Sequence, residues 1–76
     1  MKANLEDINS WMAGKQVGNS KYRLNENIKI ISGEHIRKEG SVISLESVGE
    51  NPSYIVELQS GDDVLVNQTD IESKNT

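Results

Sequence analysis

The side chains that could do chemistry in this sequence are few and mostly basic. One histidine, His35, stands in a segment that carries Lys29, Arg37 and Lys38, with Lys21 and Arg23 before it. An imidazole acts as a general base or a metal ligand only beside a nucleophile, a carboxylate or further ligands. The chain has no cysteine, and neither a Gly-x-Ser-x-Gly elbow nor a phosphate-cradling glycine loop is present. His35 therefore reads as a solvated loop residue. Asp62-Asp63 invites a cation, but adjacent acids at a hairpin tip are ordinary turn chemistry, and a calcium loop needs more oxygen ligands at alternating positions. A core of this size is also too small to enclose a substrate pocket of about 300 Å³ or more. No catalytic residue, metal, cofactor or small-molecule substrate is expected; the chain does not read as an enzyme.

What remains is recognition. Lys29, Arg37 and Lys38 can meet phosphates or carboxylates, and Lys21, Arg23 and His35 can join the same surface. The alternative is a set of solvated charges spread around the domain. The charge distribution sharpens the question. The net charge is -4, yet Lys15 to Lys38 holds six bases and two acids, while Glu39 to Glu72 holds eight acids and no base. Such asymmetry can give one folded domain a basic and an acidic face, or simply two solvated faces.

The elements that must position these residues fit one small domain. The chain has 76 residues, and 19 of them are Leu, Ile or Val, above the range of disordered sequences. A domain of that length buries roughly 60% of its unfolded surface and has little stability to spare. Absence of cysteine suits a reducing compartment. Met1 to Ala13 is too polar for a signal peptide and no run approaches membrane-spanning length, so a cytoplasmic protein with no membrane contact is expected.

Residues 1–26 read as a short helix and a connecting loop. Asn4 and Asp7 form a capping-box pattern, Leu5, Ile8 and Met12 recur at helical spacing with Trp11 beside them, and Gly14 is a stop signal. So short a helix must dock its apolar stripe, most simply on one end of the domain that follows. Trp11 on such a helix reads as intramolecular packing, with a partner-anchoring hot spot as the alternative. Tyr22 and Leu24 alternate in a possible short strand, and Tyr22 is open between core and surface.

From Asn27 the period becomes that of strands. Ile28, Ile30 and Ile31 flank an outward Lys29, and Gly33 ends the run. Gly40 opens a second run to Val48 whose apolar residues fall on both faces, which predicts a long, bent strand serving two sheets. Tyr54, Val56 and Leu58 alternate with polar residues, so Tyr54 reads as core. Gly61-Asp62 marks a hairpin into Val64 to Val66, and Thr69-Asp70-Ile71 suits a helical turn before a last strand. Residues 73–76 read as a polar tail. Four or five short hairpin-linked strands predict a small all-β antiparallel barrel.

Ile28 to Val42 reads Ile-Lys-Ile-Ile-Ser-Gly-Glu-His-Ile-Arg-Lys-Glu-Gly-Ser-Val. This resembles the KOW motif of SH3-like barrels in NusG-type transcription factors and some ribosomal proteins. Gly33 and Gly40 stand at the motif's spacing, with Ile28, Ile30 and Val42 at its apolar positions. The resemblance spans 27–72 and implies a five-stranded SH3-like barrel that binds without catalysis. It further implies docking on protein or RNA components of the transcription or translation machinery, with another protein favoured and RNA or the ribosome as the other target. Relative to RNA-binding members, the loop lacks a further glycine and more lysines, carries Glu34 and Glu39, and has no aromatic residue for base stacking. A stand-alone SH3-like adaptor or inhibitor using the acidic face is the alternative, with Glu57, Asp62 and Asp63 as its contacts. A proline-peptide groove would have to be built from Trp11, Tyr22 and Tyr54 alone.

Overall fold

A computed structural model describes residues 1–74. Its elements, in chain order, are α1 (Leu5–Met12), β1 (Asn27–Ile30), β2 (Glu39–Ser47), β3 (Ser53–Leu58), β4 (Asp63–Asn67), a 3-10 turn (Gln68–Asp70) and β5 (Ile71–Ser73). The helix starts where its cap is: Asp7 N–H donates to Asn4 Oδ1 at 2.8 Å, and Asn4 N–H donates to the Asp7 carboxylate at 3.3 Å. It ends at Ala13, and Gly14 takes a φ of +89° just beyond.

The helix docks on the sheet, but not by the expected stripe. Trp11 is buried, whereas Leu5 is 73% and Met12 51% exposed. Helical geometry explains the difference, since Ile8 lies about 60° around the axis from Trp11, and Leu5 and Met12 about 100–120°. Two constraints set the rotation. The Trp11 indole N–H donates to Tyr22 O at 2.7 Å, and residues 1–3 lie along the end of β2, with Ala3 N–H on Glu46 O and Val48 N–H on Met1 O. Helix, connecting loop and sheet thus share one core, in which Trp11 and Tyr22 pack with Ile28, Leu45 and Tyr54.

All five strands form one antiparallel sheet in the order β4-β3-β2-β1-β5. Strands β1 and β3 show the alternation read from sequence: Ile28 and Ile30 inward with Lys29 outward, and Tyr54, Val56 and Leu58 inward. β2 is long as expected, with nine residues, but it serves one sheet rather than two. Its register against β3 shifts between Val42 and Ser44 and again between Leu45 and Ser47. Bulges of this kind bring Val42 and Leu45, an odd number of residues apart, onto the same buried face. Among the described residues, β4 and β5 are each paired on one side only, so strand pairing leaves the sheet open. The 3-10 turn ties this opening back to β1, with Ile31 N–H on Asp70 O at 2.8 Å and Ser32 Oγ on Asp70 Oδ1 at 2.5 Å.

Two further expectations are corrected, and one left open is decided. Tyr22 to Leu24 is not a strand; the segment is held by side-chain bonds instead of ladder bonds. Tyr22 itself is core, its ring edge-on to Tyr54 at 5.8 Å and its hydroxyl donating to Ile71 O. The tail does not begin at Ser73, because Ser73 ends β5 and Lys74 N–H donates to Asn27 O. Asn75 and Thr76, the rest of that expected tail, lie outside the described residues.

Gln68 locks the aromatic end of the core. Its side-chain oxygen accepts from Tyr54 Oη at 2.5 Å and from Lys21 N–H at 3.0 Å, and its amide nitrogen donates to Asn19 O. Burial pushes both tyrosine hydroxyls above the usual tyrosine range, with Glu26 adding to the effect. For Tyr54, backbone donors from Tyr22 and Lys21 partly oppose it.

Candidate functional site

The β1–β2 loop is held together by its own backbone hydrogen bonds. At its base, Ile30 N–H donates to Lys38 O and Arg37 N–H to Ile30 O, both at 2.8 Å. Inside it, Ile36 N–H reaches Gly33 O and Lys38 N–H reaches His35 O. Gly33, inside the loop, takes a φ of +96°, a conformation open to glycine at little cost. Arg37 sits at a φ of +75°, where a side chain is uncommon. The loop therefore holds its backbone by several bonds while Ile36, Arg37 and Lys38 stay exposed at the tip.

Gly40 has a different job. A Cβ there would stand 2.3 Å from Glu57 O and 2.9 Å from the Val56 side chain, so this glycine is required by the close approach of β2 to β3. The close approach brings the loop beside the β3–β4 hairpin. In that hairpin, Leu58 N–H on Asp62 O closes the turn, Gly61 takes a φ of +95°, and Asp62 accepts from Ser60 Oγ, as turn chemistry expects. Among the described residues, no cluster of metal-ligating side chains forms around Asp62-Asp63 or elsewhere.

Between loop and hairpin runs a groove. One end, about 350 Å³, is walled by Arg37 and Lys38 opposite Leu58, Gln59 and Ser60. It continues past Glu39 into a second depression of about 540 Å³ that includes Glu57 and Lys74. Glu39 divides the two, and Lys74 Nζ holds it at 2.8 Å. That hydrogen bond and charge, with the field of Lys29, draw the Glu39 carboxyl below the ordinary glutamate range against a smaller desolvation effect.

The strand register decides which of the expected binding residues meet. Arg37 and Lys38 share the groove wall. Lys29 points outward as expected, but stands directly opposite Glu39 on β2 and Glu72 on β5. Its charge is set between two acids, a favourable cross-strand arrangement that leaves less of it for a ligand. His35 is half-buried rather than solvated: it lies near the Glu34 carboxylate and lines a separate pocket toward β4. Lys21 and Arg23 do not join the groove. Lys21 lies over the Tyr22 ring at 5.4 Å with its backbone bonded to Gln68, and Arg23 N–H bonds Glu26.

No protein-family model, curated protein or solved structure matches this chain. The KOW likeness stays with the residues that carry it, from Ile28 to Val42. Sequence reasoning missed Lys74 and the hairpin residues Leu58 to Ser60 as parts of this groove. No local signal marks them, because their place in it depends on which strand ends pair. Among the described residues, no helix is long and apolar enough to cross a membrane.

Proposed function

We propose that this chain is a non-catalytic binding module of SH3-like type, and that its β1–β2 loop docks on another protein. The setting suggested by the KOW likeness is the transcription or translation machinery. The observation that carries the reading is the loop itself. Ile36, Arg37 and Lys38 stand exposed on a backbone pinned at both ends, with Arg37 in an unfavourable left-handed conformation. Strain of that kind persists where surrounding contacts over-determine it, and it is concentrated at sites that bind. Arginine is enriched among the residues that carry the binding energy of protein interfaces.

Protein is favoured over RNA on two grounds. Trp11, Tyr22 and Tyr54, all the aromatic residues of the chain, are packed inside and offer no face for base stacking. Lys29 is flanked by Glu39 and Glu72, which oppose phosphate binding where an RNA reader needs uncompensated bases. A five-strand sheet whose β4 returns through one 3-10 turn to a β5 beside β1 is compatible with the SH3-like reading.

Affinity capture from lysate tests it, with and without nuclease. An Arg37→Ala/Lys38→Ala variant is expected to lose the captured partner while Lys29→Ala keeps it, and nuclease is expected to change nothing. Loss of the partner on nuclease treatment would move the target to RNA. Retention by the double variant would remove the loop as the site.

A further inference from the structure

Among the described residues, the outer edge of β4 is approached only at its Leu65–Asn67 end, by the Gly33–His35 turn. No strand pairs with it among the described residues, and its register against β3 runs without a bulge from Ser53–Asn67 to Glu57–Asp63. Natural sheet edges are commonly blunted by lysine, proline or a bulge. β4 reads Asp-Val-Leu-Val-Asn and has none of these; its Leu65 is 60% exposed.

The ladder shows which backbone groups are free. Leu58 N–H bonds Asp62 O at one end of β3–β4, and Gln68 N–H bonds Pro52 O at the other. Bonded pairs alternate along an antiparallel ladder, so Val64 and Val66 face β3. Asp63, Leu65 and Asn67 then turn their N–H and C=O groups outward.

Charge selects the occupant. Asp63 stands opposite Glu57 on β3, a like-charge pair with Asp62 next to it, and no base occurs between Glu39 and Glu72. At the other end, a small pocket of about 120 Å³ lies between the edge and the Gly33–His35 turn; its lining includes Ile30, Val66, His35, Glu34 and Asp70, the last accepting from Ser32 Oγ. We infer that β4 receives an extended, lysine- or arginine-bearing segment of another protein as a sixth strand. Backbone bonds from Asp63, Leu65 and Asn67 hold the segment, and the surrounding acids select its basic side chains. A second copy of this chain is a poorer occupant, because each copy has a net charge of -4 and would bring its own acid-only edge. The inference concerns the acidic surface and stands even if the β1–β2 loop binds nothing.

Amide hydrogen exchange by NMR tests it, using a peptide of alternating lysine and valine about nine residues long, and its glutamate counterpart. The lysine peptide is expected to slow exchange at Asp63, Leu65 and Asn67, leave the amides of Ile36 and Lys38 unchanged, and bind less tightly as salt is added. Leu65→Pro deletes only an outward N–H and is expected to weaken binding about tenfold. Continued protection of Val64 and Val66 reports that this variant is folded. Leu65→Lys, a surface change, is expected to weaken the lysine peptide as well and serves if the proline variant fails to fold. No slowing with the lysine peptide overturns the inference, and equal slowing by both peptides overturns the choice of a basic partner. Slowing that grows with protein concentration and needs no peptide replaces the partner with a second copy.

Discussion

The two ends of this molecule hold themselves together in opposite ways. At the aromatic end, Trp11, Tyr22 and Tyr54 are buried against one another, and each ring's polar atom finds a partner in Tyr22 O, Ile71 O or Gln68. At the loop end, backbone bonds fix Ile30, Arg37 and Lys38, and the side chains at the tip are left in solvent. The first end ties its side chains down and contributes stability. The second fixes only the backbone and presents side chains to a partner, so changes at the two ends are expected to read out in different measurements.

The largest test is Trp11→Ala. Removing a buried tryptophan costs about 3–5 kcal/mol, and a domain of this length has about 4–11 kcal/mol in all. Urea titration is expected to find the variant's unfolding midpoint strongly lowered, while Leu5→Ala and Met12→Ala on the exposed side stay within about 0.5 kcal/mol of the parent. Similar losses in all three would break the contrast between the two helix faces.

Next is Gly40→Ala, which drives a methyl group into the β3 backbone at Glu57. A loss of about 1–3 kcal/mol is expected, with a lower Tm and a disturbed groove, because Gly40 places the loop beside the hairpin. An unchanged Tm would mean that β2 and β3 can part at no cost.

Tyr54→Phe removes the hydroxyl shared by Gln68 and the Tyr22 amide and is expected to cost about 1 kcal/mol at neutral pH. Its pH dependence sharpens the comparison. A tyrosine whose folded pKa is raised contributes stability that is complete below the unfolded value near 10 and is lost as pH rises through the folded value. The parent is therefore expected to lose stability in alkali more steeply than the Phe variant, as thermal melts between neutral pH and about pH 11 would show.

The smallest effect on stability is expected at the other end. Arg37→Gly relieves a left-handed side-chain conformation, with part of the gain returned to the more flexible unfolded chain. A net stabilisation of about 0.5 kcal/mol is expected, together with loss of the partner in the capture experiment. A variant that is more stable yet inactive in binding would set the two ends apart directly.

Much of the architecture was legible in the residues. The Asn4–Asp7 cap, Gly33 and the Gly61 hairpin act on chain neighbours, and alternation along β1 and β3 states which side chains turn inward. The site was legible only in part. Arg37, Lys38 and the two framing glycines stood out, but Lys29 looked equivalent to the other bases until the register set it between Glu39 and Glu72. Ser73 and Lys74 looked like tail because the polar run that follows Ile71 carries no strand signal, yet Ser73 pairs with Ile28.

The sequence by itself thus determined most of the elements and their turns, since caps, glycine conformations and side-chain alternation are settled over a few residues. The tertiary structure alone decided which charges neutralise one another, which helix face is buried and which strand edge is left open. Those outcomes depend on pairings between residues tens of positions apart, where a shift of one residue in register exchanges every neighbour.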